Sequence, residues 1–111
     1  EFDAVRCSEA ECGGEMARAW EESEILLDPH TAVAVHAARA ALKHDPATPV
    51  IALATAHPAK FPDAVEAATG VRPPLPAHLA DLLGKPERIA QLPNDPRAVA
   101  EYLKAHARMR S

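Results

Sequence analysis

The chain has 111 residues, room for one domain with one modest core. It is 48% apolar and 25% charged, with a net charge of -4 and a pI near 5.8. That balance argues against a nucleic-acid binder, which needs a basic face, and no window approaches the roughly 18 continuous apolar residues of a membrane-spanning helix.

Only 4% of the chain is aromatic. The core must therefore come mostly from Ala, Val, Leu and Ile. Alanine-rich helices pack closely but bury little area, and burial stabilises by only roughly 25 cal/mol per Å2, so such a domain is expected to be marginal on its own. The start "EFDAVRCSEAEC" is acidic and has no apolar h-region, so no signal peptide is expected. Two cysteines, Cys7 and Cys12, are too few for a disulfide framework and lie outside zinc-ligand spacing. They read as reduced thiols of a cytoplasmic protein.

In chain order, "FDAVRC" (2–7) alternates and predicts a short strand. Ser8 follows as a helix N-cap, with Glu11 three residues on completing a capping box. The helix "EAECGGEMARAWEES" comes next, weakened by Gly13 and Gly14 at about 1 kcal/mol each against Ala. "EILL" (24–27) is a short extended stretch. "DPHTAVAVHAARAALKH" is a helix with Asp28 as N-cap, Pro29 at its first position and basic residues at its end. "DPATP" is a loop, and "VIALAT" (50–55) is a wholly apolar run of the kind found in strands buried on both faces. "HPAKFPDAVEAATG" predicts a helix from Pro58 to a stop at Gly70, and "VRPPLP" an extended linker. "AHLADLLG" predicts a short helix, "ERIAQLP" (87–93) a weaker strand, and "NDPRAVAEYLKAHARMR" a last helix capped by Asp95.

One arrangement occurs three times: an extended apolar segment, then Asp-Pro or His-Pro, then a helix. Such alternation predicts an α/β fold, a small mostly parallel sheet of about three strands with crossover helices, forming a single domain over 1–111. All strand C-termini then share one edge, where open α/β sheets bind ligands and helix N-termini offer free N–H groups. Two polar turns fall there. Thr55, His57 and Lys60 follow the apolar run, and Asp28, His30 and Thr31 open the helix before it. Each also has a plainer reading. Thr55 could close its own turn, His57 could be a turn histidine, Lys60 and His30 could be solvated, and Asp28 is explained as an N-cap.

The six histidines include no His-x-x-x-His pair, and no metal site is predicted from their spacing. No Gly-rich phosphate loop and no Gly-x-Ser-x-Gly elbow occurs. Trp20, Phe61 and Tyr102 fall on amphipathic helix faces as core or near-core anchors.

The two turns together are more specific than either alone. "LLDPHTAVAVHAA", followed about twenty residues later by "LATAHPAKF", resembles the threonine synthase family, pyridoxal-phosphate enzymes of the tryptophan-synthase-like fold. The likeness runs through "VRCSEAE…ARAWEESEILLDPHTAV" and "PDAVEAATGVRPPLPAHLADLLGKPERIAQLPND", nearly the whole chain. It implies the C-terminal quarter or so of such an enzyme, a lyase of threonine biosynthesis. The parent converts O-phospho-L-homoserine and water to L-threonine and phosphate, with pyridoxal phosphate as electron sink. Carried over by position, Thr55 would hydrogen-bond the cofactor's pyridine nitrogen. Asp28, His30, Thr31, His57 and Lys60 would be lining candidates for substrate or cofactor.

The chain departs from the family pattern in places. Ala34 stands where the family usually has Gly, "CGGEM" interrupts a helix, and residues 1–2 are compatible with a cloning remnant. None of Lys43, Lys60, Lys85 or Lys104 has the Ser-Phe-Lys-Asp type context of the family's Schiff-base lysine, and the phosphate loop is missing. The chain alone is thus expected to bind no cofactor and to be inactive. Its expected partner is the missing N-terminal part of the enzyme, or a second copy through an exposed sheet edge. The alternative is a non-catalytic, self-associating α/β fragment with no ligand.

Overall fold

A computed structural model describes residues 2–107. The chain divides into two compact units, Glu1–Leu79 and Ala80–Ser111. The first contains helices α1 (Glu9–Ser23), α2 (Pro29–His44) and α3 (Pro62–Thr69), with 3-10 turns at Pro58–Lys60 and Ala77–Leu79. The second contains a 3-10 turn at Leu82–Gly84 and helix α4 (Pro96–His106).

Local chemistry explains the helix starts. Ser8 and Glu11 form the expected capping box: the Ser8 N–H donates to Glu11 Oε2 (2.7 Å), and the Glu11 N–H donates to Ser8 Oγ (3.3 Å). Asp28 caps α2, and Asp95 caps α4 by accepting from the Arg97 N–H (2.9 Å), each followed by a proline that needs no partner for a missing N–H. Helix α1 runs straight through Gly13 and Gly14, and ends with Glu24 in the left-handed region (φ 55°). Gly70 stops α3 at φ 73°, a conformation that suits glycine.

The core of the first unit lies where its three helices meet. Met16, Ala32 and Val65 are buried, with Cys12, Leu26, Leu27 and Ala68 packed against them. A polar seam ties α1 to α2. Arg39 Nε donates to the buried Glu15 Oε1 (2.5 Å), and its Nη2 donates to Glu22 Oε2 (2.7 Å). Trp20 and Phe61 are half-buried, consistent with near-core anchors. In the second unit Tyr102 stacks on His106 with centroids 4.0 Å apart.

The expected three-strand parallel sheet does not form: among the described residues there is no strand. Segments 2–7, 24–27, 50–55 and 87–93 join no ladder, and the second opens with Glu24 in the left-handed region. The apolar run at 50–55 has the composition of a doubly buried strand, yet Ile51 is 85% and Leu53 71% exposed. Strand identity depends on a neighbouring strand at roughly 4.7–4.9 Å, and none pairs with this run among the described residues.

Two helix forecasts also needed correction. The helix expected over 57–70 breaks at Phe61 (φ -131°, ψ 52°), because a residue before proline is pushed out of the α region. "AHLADLLG" forms two separate 3-10 turns rather than one helix. Residues 108–110 of the last forecast helix lie outside the described residues.

Candidate functional site

Segment 24–27 runs into the Asp28 cap of α2, and segment 50–55 runs into the His57 cap of the following 3-10 turn. These two junctions form one cleft of about 460 Å3. Thr55, His57, Asp28 and Thr31 line it, with Leu27 and Ala54 among its apolar walls. Four of the six residues singled out by sequence are therefore brought together.

The other two lie elsewhere. His30 is exposed, faces a different cleft beside α1 and α3, and tilts against Phe61 with ring centroids 5.0 Å apart. Lys60 is exposed, with Nζ 6.0 Å from the Phe61 ring centroid.

Within the cleft the groups differ in how free they are. Asp28 is buried and fully engaged. It accepts from the His30 N–H (2.9 Å), the Thr31 N–H (3.4 Å) and the Thr31 hydroxyl, and its Oδ1 lies 3.2 Å from His30 Nδ1. Burial pushes its carboxyl pKa up, but these hydrogen bonds together hold it below the ordinary value. Asp28 thus stays a carboxylate and serves the helix start. The Thr31 hydroxyl is committed to it.

Thr55 is different. It is exposed, and its hydroxyl makes no hydrogen bond among the described residues, so the turn-closing alternative is not what the structure contains. His57 is half committed. Its Nδ1 accepts from the Ala59 N–H (3.1 Å), which leaves the proton of a neutral ring on Nε2 as a free donor. The cleft thus offers two unspent polar groups, Thr55 Oγ1 and His57 Nε2, over an apolar wall. That combination suits a flat, partly polar ligand.

The family description "Threonine synthase, C-terminal" matches residues 31–103, and the chain belongs to that family. It is 43% identical over 106 residues to threonine synthase of Pseudomonas aeruginosa, covering 95% of this chain and 22% of that protein. The threonine synthase of Corynebacterium glutamicum is 36% identical over 102 residues, 92% of this chain and 21% of that protein. The solved structure of pyridoxal-phosphate-bound threonine synthase from Brucella melitensis aligns with TM-score 0.73 and 42% identity, over 98% of this chain and 23% of that one. The chain thus spans between a fifth and a quarter of the length of these relatives.

Whether the cleft fits the cofactor of the Brucella protein can be judged from its donors. Thr55 and the apolar wall suit the heteroatom edge and face of a pyridine ring. No lysine lines the cleft. These residues fit one side of the ring.

Proposed function

We propose that this chain is the C-terminal segment of a threonine synthase whose complete form converts O-phospho-L-homoserine and water to L-threonine and phosphate. The observation that carries this reading is the family match across residues 31–103, supported by 43% identity over 95% of the chain. Pyridoxal phosphate, when bound, supplies the electron sink for such chemistry. The chain's own contribution is positional. Thr55 Oγ1 would donate a hydrogen bond to the cofactor's ring nitrogen, which a neutral hydroxyl can do without demanding the ring's protonation. Leu27 and Ala54 would give the cofactor an apolar wall, Asp28 and Thr31 hold the start of α2 in place, and His57 would line the same cleft. His30 and Lys60 stand outside the cleft in this chain, so a substrate-lining role for either depends on the rest of the enzyme.

On this reading the remaining enzyme supplies the lysine and phosphate loop, works in the cytoplasm, and is the partner of this chain. The test uses phosphate release from O-phospho-L-homoserine. The 111 residues with pyridoxal phosphate should release none, and the same residues joined to the upstream part of a relative should be active. Thr55→Val in the joined enzyme should lower kcat by at least about tenfold, the scale of one lost positioned hydrogen bond at the reacting group, while the fold is unchanged. Turnover by the 111 residues alone would overturn the expected inactivity.

A second reading has its own observation. Ile51 and Leu53 are largely exposed on an unpaired extended segment, which favours pairing with a second copy. Sedimentation over a concentration range decides it, and a strict monomer at high concentration excludes self-association.

A further inference from the structure

The seam between α1 and α2 holds a group of side chains that the cleft does not use. Cys7, Glu11 and His36 present one donor atom each, and these atoms all lie within 4.8 Å of one another. They come from three places: the extended segment before α1, the first turn of α1, and the middle of α2. The Glu15–Arg39 ion pair lies one turn further along both helices, and it fixes the register that sets Glu11 opposite His36.

The donors are available. Both hydrogen bonds from Ser8 to Glu11 end on Oε2, and Oε1 accepts none among the described residues. Cys7 is half-buried and free of any disulfide, and its Sγ donates over 3.6 Å to the Ser8 carbonyl, a contact given up when the thiol proton leaves. Cys12 Sγ donates to the Pro29 carbonyl at 3.3 Å.

We propose that Cys7, Glu11 and His36 form a three-donor zinc site, completed by one water, that clasps the segment before α1 to α2. Sulfur, imidazole and carboxylate are the donor set zinc takes, and three protein ligands with an open fourth position is an established arrangement. Bond lengths of about 2.3 Å to sulfur and about 2.0–2.2 Å to nitrogen and oxygen set tetrahedral donors roughly 3.5 Å apart. The present set, within 4.8 Å, is wider than that by roughly an ångström. Binding releases the Cys7 thiol proton to solvent, and the thiolate and the Glu11 carboxylate together neutralise the ion.

The test is titration of the reduced 111-residue chain with cobalt(II), then zinc. One equivalent of cobalt should produce a thiolate-to-metal charge-transfer band, and zinc should displace it. Glu11→Gln and His36→Ala should each weaken binding at least about tenfold, the loss seen even for groups behind a ligand. Cys7→Ser should abolish the band. Ser8→Ala breaks the capping box without removing a donor and should keep the band, as should His30→Ala. In the unmodified chain, zinc should slow alkylation of Cys7 and leave that of Cys12 unchanged, a readout that requires no variant to fold. Absence of stoichiometric binding, a band that survives Cys7→Ser, equal protection of both cysteines, or loss in His30→Ala with retention in His36→Ala would each overturn the site.

Discussion

Asp28 shows how one side chain can serve the fold where it lines a site. Its carboxylate collects two backbone donors and one hydroxyl at the start of α2. Asp28→Ala should therefore cost about 1–2 kcal/mol in urea unfolding, the upper range for a lost N-cap. The pH dependence follows from its lowered carboxyl pKa. The folded state binds this proton less readily than the unfolded state. The stabilisation is therefore fully present above the ordinary carboxylate pKa and is lost as pH falls through the lowered one. Asp28→Asn keeps a capping oxygen but cannot titrate, so its stability should fall less between neutral and acid pH than that of the parent chain. Both residues of the sequence motif that remain unspent, Thr55 and His57, were nameable in advance. Asp28 reads as an N-cap from the sequence, and the structure adds that the Thr31 hydroxyl, three residues on, is spent on the same carboxylate.

At the scale of elements, starts and stops were legible because they are local. Ser8, Asp28 and Asp95 cap as their neighbours predict, and Gly70 stops α3. The break at Phe61 is also local, since the residue before Pro62 is pushed out of the α region. Helix α1 carries a correctable weakness. A Cβ at Gly13 or Gly14 would meet nothing within 4 Å. Gly14→Ala should raise the stability of the isolated chain by about 1 kcal/mol, the helix-propensity difference, read as a shifted urea midpoint at unchanged slope. The Glu15–Arg39 pair tests the α1–α2 seam. Arg39→Met leaves Glu15 buried beside a missing cation, and should destabilise more than Glu15→Gln, which leaves Arg39 its second partner, Glu22.

For the whole molecule, the first unit has a core of few residues, and several of its large apolar side chains remain outside it. A chain of this kind should be marginally stable alone. Replacing Ile51 and Leu53 by Lys and Thr should reduce concentration-dependent association of the isolated chain in sedimentation, with little change in helix content. In the joined enzyme the same replacements should impair assembly, because they place charge on an exposed apolar segment that the rest of the enzyme would cover.

The sequence by itself determined the helix boundaries set by caps and prolines, the family, and the pair of turns that meet in one cleft. These depend on neighbours within a few residues, or on a motif long enough to be specific. Only the tertiary structure decided three other matters. The apolar run at 50–55 is not a strand here, because a ladder needs a partner and the described residues supply none. His30 and Lys60 fall outside the cleft, His30 tilting against Phe61 beside another cleft and Lys60 standing exposed. Cys7, Glu11 and His36 meet only because α1 packs on α2, a juxtaposition with no spacing to read along the chain.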